Sequence, residues 1–236
     1  MRLLVDTHVF DYSSSGVHTY LLGLYRAMIP MNPDITFILT AQDIDNLKRI
    51  FGEHANVEYL QLSPGGSLKR LVWEFQHLIR RHKIDAAHFH YVLPLFKACK
   101  EIVTTHDILF DEFPQYFPAR YRLSRHLPFK YSARRADIVA VSSTASQEAL
   151  IRLYGVAREK IILTPIAISE DFIQKVATST FDVCSLYNLD QYILYVSRKE
   201  PRKNHLGLVK AYCELELWKR GIALALVGEP CIPIPE

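Results

Sequence analysis

Short apolar runs rich in Val, Ile and Leu alternate with longer segments in which apolar residues recur at helical spacing. The runs are RLLVD (2–6), TFILT (36–40), VEYLQL (57–62), DAAHF (85–89), EIVTT (101–105), DIVAVS (137–142) and KIILT (160–164). Several show no in-and-out alternation, as expected of parallel strands covered by helices on both faces. Between the first two, Val17, Tyr20, Leu21, Leu24, Tyr25 and Met28 fall on one stripe of an amphipathic helix. Leu68, Leu71, Val72, Phe75, Leu78 and Ile79 form a second stripe, and Ser143 or Thr144 is placed to cap a helix running through Leu153 that Gly155 closes. This alternation predicts an α/β fold, an open doubly wound parallel sheet of about seven strands.

The texture changes after KIILT. Residues 165–190 begin with Pro165, mix polar residues and keep no sustained period, which predicts an interdomain linker. Then QYILYVS (191–197), an amphipathic stretch from about Asn204 to Lys219, and IALALVG (222–228) restart the strand, helix, strand order. The expected organisation is a Rossmann-like domain over 1–165, a linker over 166–190, and the opening βαβ unit of a second Rossmann-like domain over 191–236. A unit below about 40 residues buries too little surface to be stable alone. The second domain is therefore expected to lean on the first or to continue past Glu236.

With 49% hydrophobic and 22% charged residues in 236, the chain is globular and disorder is excluded. A net charge of +3 gives a weak global field, so any attraction to phosphates or lipid headgroups must come from local clusters. Cys99, Cys184, Cys213 and Cys231 form no C-x-x-C pair, which argues against a zinc site or a disulfide framework and for reduced thiols in a cytosolic protein. No apolar run approaches the length of a membrane span or a signal-peptide core. The expected location is the cytoplasm, at most peripheral to the inner face of the cytoplasmic membrane.

In open parallel sheets, ligands bind beyond the carboxyl ends of the strands. The loop DTHVFDYSSSGVHTY (6–20) sets Gly16 at a helix start, where backbone N–H groups receive phosphate, although serines with one glycine also make ordinary turns. The loop TTHDILFDEFPQYFP (104–118) sets His106 directly after a strand beside Asp107, which is expected to fix its tautomer; a strand-capping histidine is the plainer alternative. The loop SRKEPRKNH (197–205) carries Arg198, Lys199, Arg202 and Lys203, with Asn204 placed to cap the next helix. A solvated charge run accounts for the cations but not for their position at a strand end, where they suit a nucleoside diphosphate leaving group. Two basic stretches with aromatics, SLKRLVWEFQHLIRRHK (67–83) and PARYRLSRHLPFKYSARR (118–135), suit anionic lipid headgroups, single-stranded nucleic acid or ordinary solvated faces.

These segments, taken in order, resemble the family 4 (group 1) glycosyltransferases. YILYVSRKEPRKNHLGLVKAY is similar to the family's second-domain opening, in which a strand ending in G-R precedes E-P-R-K-N. HDILFDEFPQYFPARYR and ADIVAVSSTASQEALIRLYGVAREKIILTPIAIS look like its H-D loop, its V-S-x-x-S strand end and the strand leading to the linker, and SGVHTY is similar to its G-x-G-R-Y loop. The resemblance implies a GT-B fold and sugar transfer from a nucleotide-sugar to a saccharide or lipid-linked acceptor, with retention of configuration and no metal or other cofactor. It places Gly16, Arg198 and Lys203 on the donor diphosphate and His106 as the catalytic group near the reacting centre, with His18, Asp107 and Ser142 on the substrate side. Surface polysaccharide biosynthesis is the implied setting, an anionic membrane surface is a further expected partner, and nucleic acid is not expected.

The departures are Ser197 for the family's glycine, His18 and Thr19 for its Gly and Arg, and TPIAIS for P-N-G-V-D. The family's E-x7-E segment is missing from these 236 residues, so no appreciable turnover is expected of them alone. Two other classes stand as alternatives: a non-catalytic Rossmann-like module binding a membrane or partner through its basic helices, against which the ordered strand-end motifs stand, and a dinucleotide oxidoreductase, for which the G-x-G-x-x-G turn and an acidic residue closing the second strand are missing. The sugar, nucleotide and acceptor are left open.

Overall fold

A computed structural model describes residues 1–12, 16–168, 170–178 and 182–228; Ser13 to Ser15 and Cys231 lie outside the described residues. The chain divides into two units, residues 1–112 with 123–169, and residues 113–122 with those from 170 onward.

In the first unit the seven apolar runs become seven strands: β1 (Arg2–Asp6), β2 (Thr36–Ala41), β3 (Val57–Gln61), β4 (Ala86–His90), β5 (Lys100–Thr104), β6 (Ile138–Val141) and β7 (Ile161–Leu163). All pair in parallel, in the order β3-β2-β1-β4-β5-β6-β7. The chain moves outward from β1 to β3 and then restarts at β4 on the other side of β1, which makes the β1/β4 junction the topological switch point. Successive strand residues face opposite ways, so each run feeds two cores. Leu4, Ile38, Phe89, Val103 and Val139 pack with Phe75, Ile79, Leu150 and Tyr154 on one face. Leu3, Val5, Phe37 and Leu39 pack with Tyr20, Leu21, Tyr25, Ile29 and Phe51 on the other. The expected stripe of α1 (Gly16–Met31) is the face that packs, with Tyr20, Leu21 and Tyr25 buried.

The 67–81 helix departs from its expected stripe. Phe75 and Ile79 are buried, but Leu68 is exposed and Arg70 and Gln76 take buried places. A π-helical turn over Arg70–Glu74 is the cause, because its wider spacing shifts the phase of everything before it. Ser143 caps the helix that begins at Thr144, its Oγ accepting from Ser146 N at 3.1 Å, and Gly155 closes that helical run in the left-handed conformation at φ 65°. Glu101 at the start of β5 is buried and receives two bonds from Arg135, Nε at 3.0 Å and Nη2 at 2.7 Å, anchoring the end of the Ala119–Arg135 helix.

In the second unit, β8 (Gln191–Val196) pairs in parallel with β9 (Ile222–Val227) across the His205–Glu214 helix, the expected strand, helix, strand order. The 166–190 stretch contains helices at Glu170–Thr178 and Val183–Tyr187. Both are too short to impose a period that sequence inspection detects. No helix among the described residues is long and apolar enough to cross a membrane.

Candidate functional site

The carboxyl ends of β1, β4, β5, β6 and β7 bring together side chains from loops far apart in sequence. Gly16 is the first residue of α1, a helix with no acidic residue in its first turn, so its N-terminal partial charge has no local counter-charge. A Cβ at Gly16 would meet no atom within 4 Å. Packing among the described residues leaves room for a side chain here. His18 packs on the Phe10 ring, with centroids 4.3 Å apart, and burial lowers its pKa.

His106 stands just beyond β5, its ring edge-on to Tyr20 of α1 at 4.8 Å and to Tyr91 at 5.9 Å. Both its ring nitrogens are covered and have no hydrogen-bond partner among the described residues. The expectation that Asp107 fixes its tautomer is corrected: Asp107 Oδ1 instead accepts from the Leu109 N–H at 3.4 Å, as suits a carboxylate two residues before a helix start. The Ser142 Oγ donates to the His106 carbonyl at 3.4 Å. The Ser146 hydroxyl donates to that carbonyl too. The β6 loop therefore anchors the His106 backbone while leaving the ring unengaged.

Three groups at this edge were not singled out from sequence. His88 and His90 lie two apart on β4, hence on one face, with rings 5.0 Å apart. His88 is fully engaged, Nδ1 with the Tyr25 hydroxyl at 2.5 Å and Nε2 with Thr104 Oγ1 at 2.6 Å. His90, opposite Thr104 in register, has both ring nitrogens buried without a partner among the described residues. At the end of β1, buried Asp6 holds His8 Nδ1 at 2.8 Å, and Arg70 Nε lies 3.9 Å from its other oxygen. Tyr20 meets Thr164 beyond β7 at 2.9 Å. The legible signal was H-x-H and D-x-H at strand ends; which histidine is satisfied and which is not depends on partners tens of residues away.

Burial sets the electrostatics of the edge. It lowers the His88 pKa to about 4, lowers His90 well below the usual range with help from His88 and His106, and lowers His106 against the opposing field of Asp107. Neutral imidazoles each offer one donor and one acceptor, the pattern that matches hydroxyl groups. A histidine whose folded pKa is depressed stabilises the fold above its unfolded value and loses that contribution as pH falls. Stability should therefore decline from about pH 6.5 towards the His88 value of about 4. Replacing His88 with Phe strands the Tyr25 and Thr104 hydroxyls and should cost about 2 kcal/mol at pH 7. It should also flatten that acid slope, as chemical denaturation at several pH values will show.

In the second unit, the loop after β8 carries the cations. Arg202 Nε pairs with Glu200 at 2.7 Å, whereas Arg198, Lys199 and Lys203 form no ion pair among the described residues. Tyr195 fixes the loop by donating to the Lys203 carbonyl at 2.7 Å, and Asn204, at φ 52°, caps the following helix by accepting from Gly207 N at 3.2 Å. Ser197 stands where the resemblance expects glycine, but the close approach falls on the neighbouring strand end. At Gly228, with φ 155°, an added Cβ would lie 1.9 Å from the Ser197 carbonyl oxygen. Only glycine fits there.

The sequence profile of Glycosyltransferase Family 4 matches residues 14–172. O-antigen chain mannosyltransferase B of Escherichia coli is 30% identical over 237 residues, covering 90% of this chain and 60% of its own length. The chain thus spans less than two thirds of that relative. Among solved structures, S. aureus MnaA in its co-structure with UDP superposes with a TM-score of 0.58 at 14% identity, over 99% of this chain and 62% of that one. The E. coli structure described as trehalose-6-phosphate bound with UDP-2-fluoro glucose gives 0.54 at 12% identity, over 100% and 66%. At such identities the likeness shows a shared α/β, Rossmann-like fold.

Proposed function

Since the chain belongs to Glycosyltransferase Family 4, we propose that the protein transfers a sugar from a nucleotide-sugar donor to a saccharide or glycolipid acceptor, with retention of configuration, in surface polysaccharide biosynthesis. The single observation that carries the reading is His106, anchored through its carbonyl at the carboxyl edge of the sheet with both ring nitrogens unmatched. A buried neutral imidazole with no protein partner is a costly feature that a hydroxyl-rich ligand satisfies. His106 faces the transferred sugar, and the β1 edge contributes His18 and the open helix start at Gly16 to the substrate.

In the carboxy-terminal unit, the opening of a donor-binding domain in this reading, Arg198 and Lys203 take the diphosphate. As the bond from C1 to the phosphate oxygen breaks, negative charge grows on that oxygen, and cations already in place lower the energy of this state more than that of the bound substrate. Retention means that the acceptor oxygen bonds C1 on the face the diphosphate leaves. The departing phosphate oxygen is then the nearest base for the acceptor proton. Asp107 and Ser142 act by holding the His106 loop rather than by touching sugar.

The relative's name places mannose first among the sugars to test. A form of the protein that includes an E-x7-E segment should release nucleoside diphosphate from one member of a panel of UDP- and GDP-linked hexoses in the presence of an O-antigen type acceptor, and NMR of the product should show the donor's anomeric configuration. Inverted product removes the retaining mechanism. Absence of transfer from the whole panel, with donor binding intact, removes the transferase reading.

A further inference from the structure

The fold treats the two histidines of β4 differently. They stand on one face of the strand with rings 5.0 Å apart, and His88 has both nitrogens matched, by Tyr25 and Thr104. Thr104 is also the residue opposite His90 in register, so the hydroxyl nearest to His90 along the ladder is already engaged. His90 is the last residue of the strand, and its ring nitrogens are covered with no partner among the described residues. Unmatched buried polar atoms are costly, and a phenylalanine at this place would avoid the cost.

The backbone is shaped around the same point. Directly after His90 the chain turns through Tyr91 at φ 59°, a left-handed conformation that residues other than glycine seldom adopt. Tyr91 N donates to Thr104 O at 2.9 Å and Val92 N to His90 O at 2.6 Å, which fixes the turn. The Tyr91 ring is thereby stacked on Phe129, with centroids 4.9 Å apart, and meets His106 edge-on at 5.9 Å. His90 is left as the final side chain on its face of β4, a strand that lies between β1 and β5. The residue keeps part of its surface open while its nitrogens are covered. Turning the ring about χ2, a broad torsion in histidine, can bring a nitrogen to the rim.

Burial keeps the His90 ring uncharged, and His88, His106 and His8 act in the same direction. A neutral imidazole presents one donor and one acceptor. An ionised phosphate or carboxylate only accepts, and would leave one nitrogen unmatched; a hydroxyl both donates and accepts. We propose that His90 is a specificity-determining residue for the acceptor, its ring bonding a sugar hydroxyl adjacent to the one that is glycosylated. The inference rests on the sugar-transfer reading and deepens it. In that reading His106 faces the transferred sugar, and the acceptor oxygen that attacks C1 brings its neighbouring hydroxyls to the next strand end, where His90 stands. An ordered water would also occupy a polar niche, but it would give His90 a structural role alone.

The test uses the form of the protein that includes an E-x7-E segment, with the methyl α-glycosides of glucose, galactose and mannose and their monodeoxy analogues as probes. NMR titration reads binding without need of turnover. One parent glycoside should shift the His90 ring signal, assigned by its loss in His90→Phe, and one of its deoxy analogues should bind about tenfold more weakly. In His90→Phe the parent should weaken about tenfold and its advantage over that analogue should vanish. His90→Gln, which keeps a donor and an acceptor, should restore part of the advantage, and binding of a UDP- or GDP-hexose should be unchanged in both variants. Thermal denaturation of unliganded His90→Phe should show stability at or above wild type, because no internal hydrogen bond is lost. A clear drop in stability would reveal an internal role for the ring and overturn the proposal. So would an unchanged preference for the parent glycoside in His90→Phe, or a His90 signal that no glycoside moves. Failure of the transferase reading has a separate signature, donor binding without transfer from the whole panel, and leaves these binding results readable.

Discussion

Replacing Arg198 with Ala should lower kcat/KM for sugar transfer by about two to three orders of magnitude, the loss typical of removing one preorganised donor to developing charge. The neighbouring cations do not compensate equally. Arg202 is held by Glu200 at 2.7 Å, so its charge is already spoken for, whereas Arg198 and Lys203 have no counter-charge among the described residues. Most of the loss should fall on kcat, because the charge on the leaving oxygen is greatest in the transition state, with a smaller rise in KM from the ground-state diphosphate. Arg198→Lys should recover only part of the rate, since an ammonium lacks the two-pronged geometry that fits a phosphate. Arg198 is exposed, so thermal stability should stay near wild type and a lower rate cannot be blamed on unfolding. Arg202→Ala is the internal comparison, with an effect expected within about threefold. Equal losses in the Arg198 and Arg202 variants would show a diffuse field and no specific grip.

His106→Ala should lower kcat about a hundredfold or more, through loss of a hydrogen bond held in place before the reaction begins. The ring is bonded to no protein group among the described residues, and the loop is anchored through the His106 carbonyl by Ser142 and Ser146, so the backbone should keep its course when the ring is removed. Folding stability should change little, in contrast to His88, whose two ring bonds are internal. The pH profile distinguishes a substrate-facing imidazole from a structural one. Burial favours the neutral ring of His106, the opposing field of Asp107 notwithstanding, so its protonation occurs below the usual histidine range. The acid limb of kcat in the wild type should therefore lie below about pH 6.5. It should be absent from His106→Ala, and His106→Gln, which keeps a donor and an acceptor, should restore part of the rate without restoring the limb. A profile unchanged by either substitution would leave His106 a packing residue between Tyr20 and Tyr91.

Much of the architecture was legible in the sequence because the periods that encode it are local. The runs RLLVD through KIILT became β1 to β7 in parallel, and Ser143 and Gly155 bounded a helix because a hydroxyl before a helix and a glycine after it satisfy backbone groups within their own turn. The stripe at Leu68 failed because a π-helical turn is a response to packing that no spacing announces. The loops with Gly16 and His106 in the first unit, and the cationic loop in the second, could be named as candidates because ligands in this architecture bind where parallel strands end.

What the sequence determined by itself was the alternation of strand and helix, the strand ends at which Gly16, His106 and Arg198 stand, and the loop that concentrates positive charge. Each is a property of residues close together in the chain. Only the tertiary structure decided which of the groups at the sheet edge are engaged: His88 is closed off by Tyr25 and Thr104, while His90 and His106 keep nitrogens unmatched among the described residues. Hydrogen-bond satisfaction and burial arise when a sheet brings distant loops to one edge, so local patterns locate a functional group but the fold determines whether it is available to a ligand.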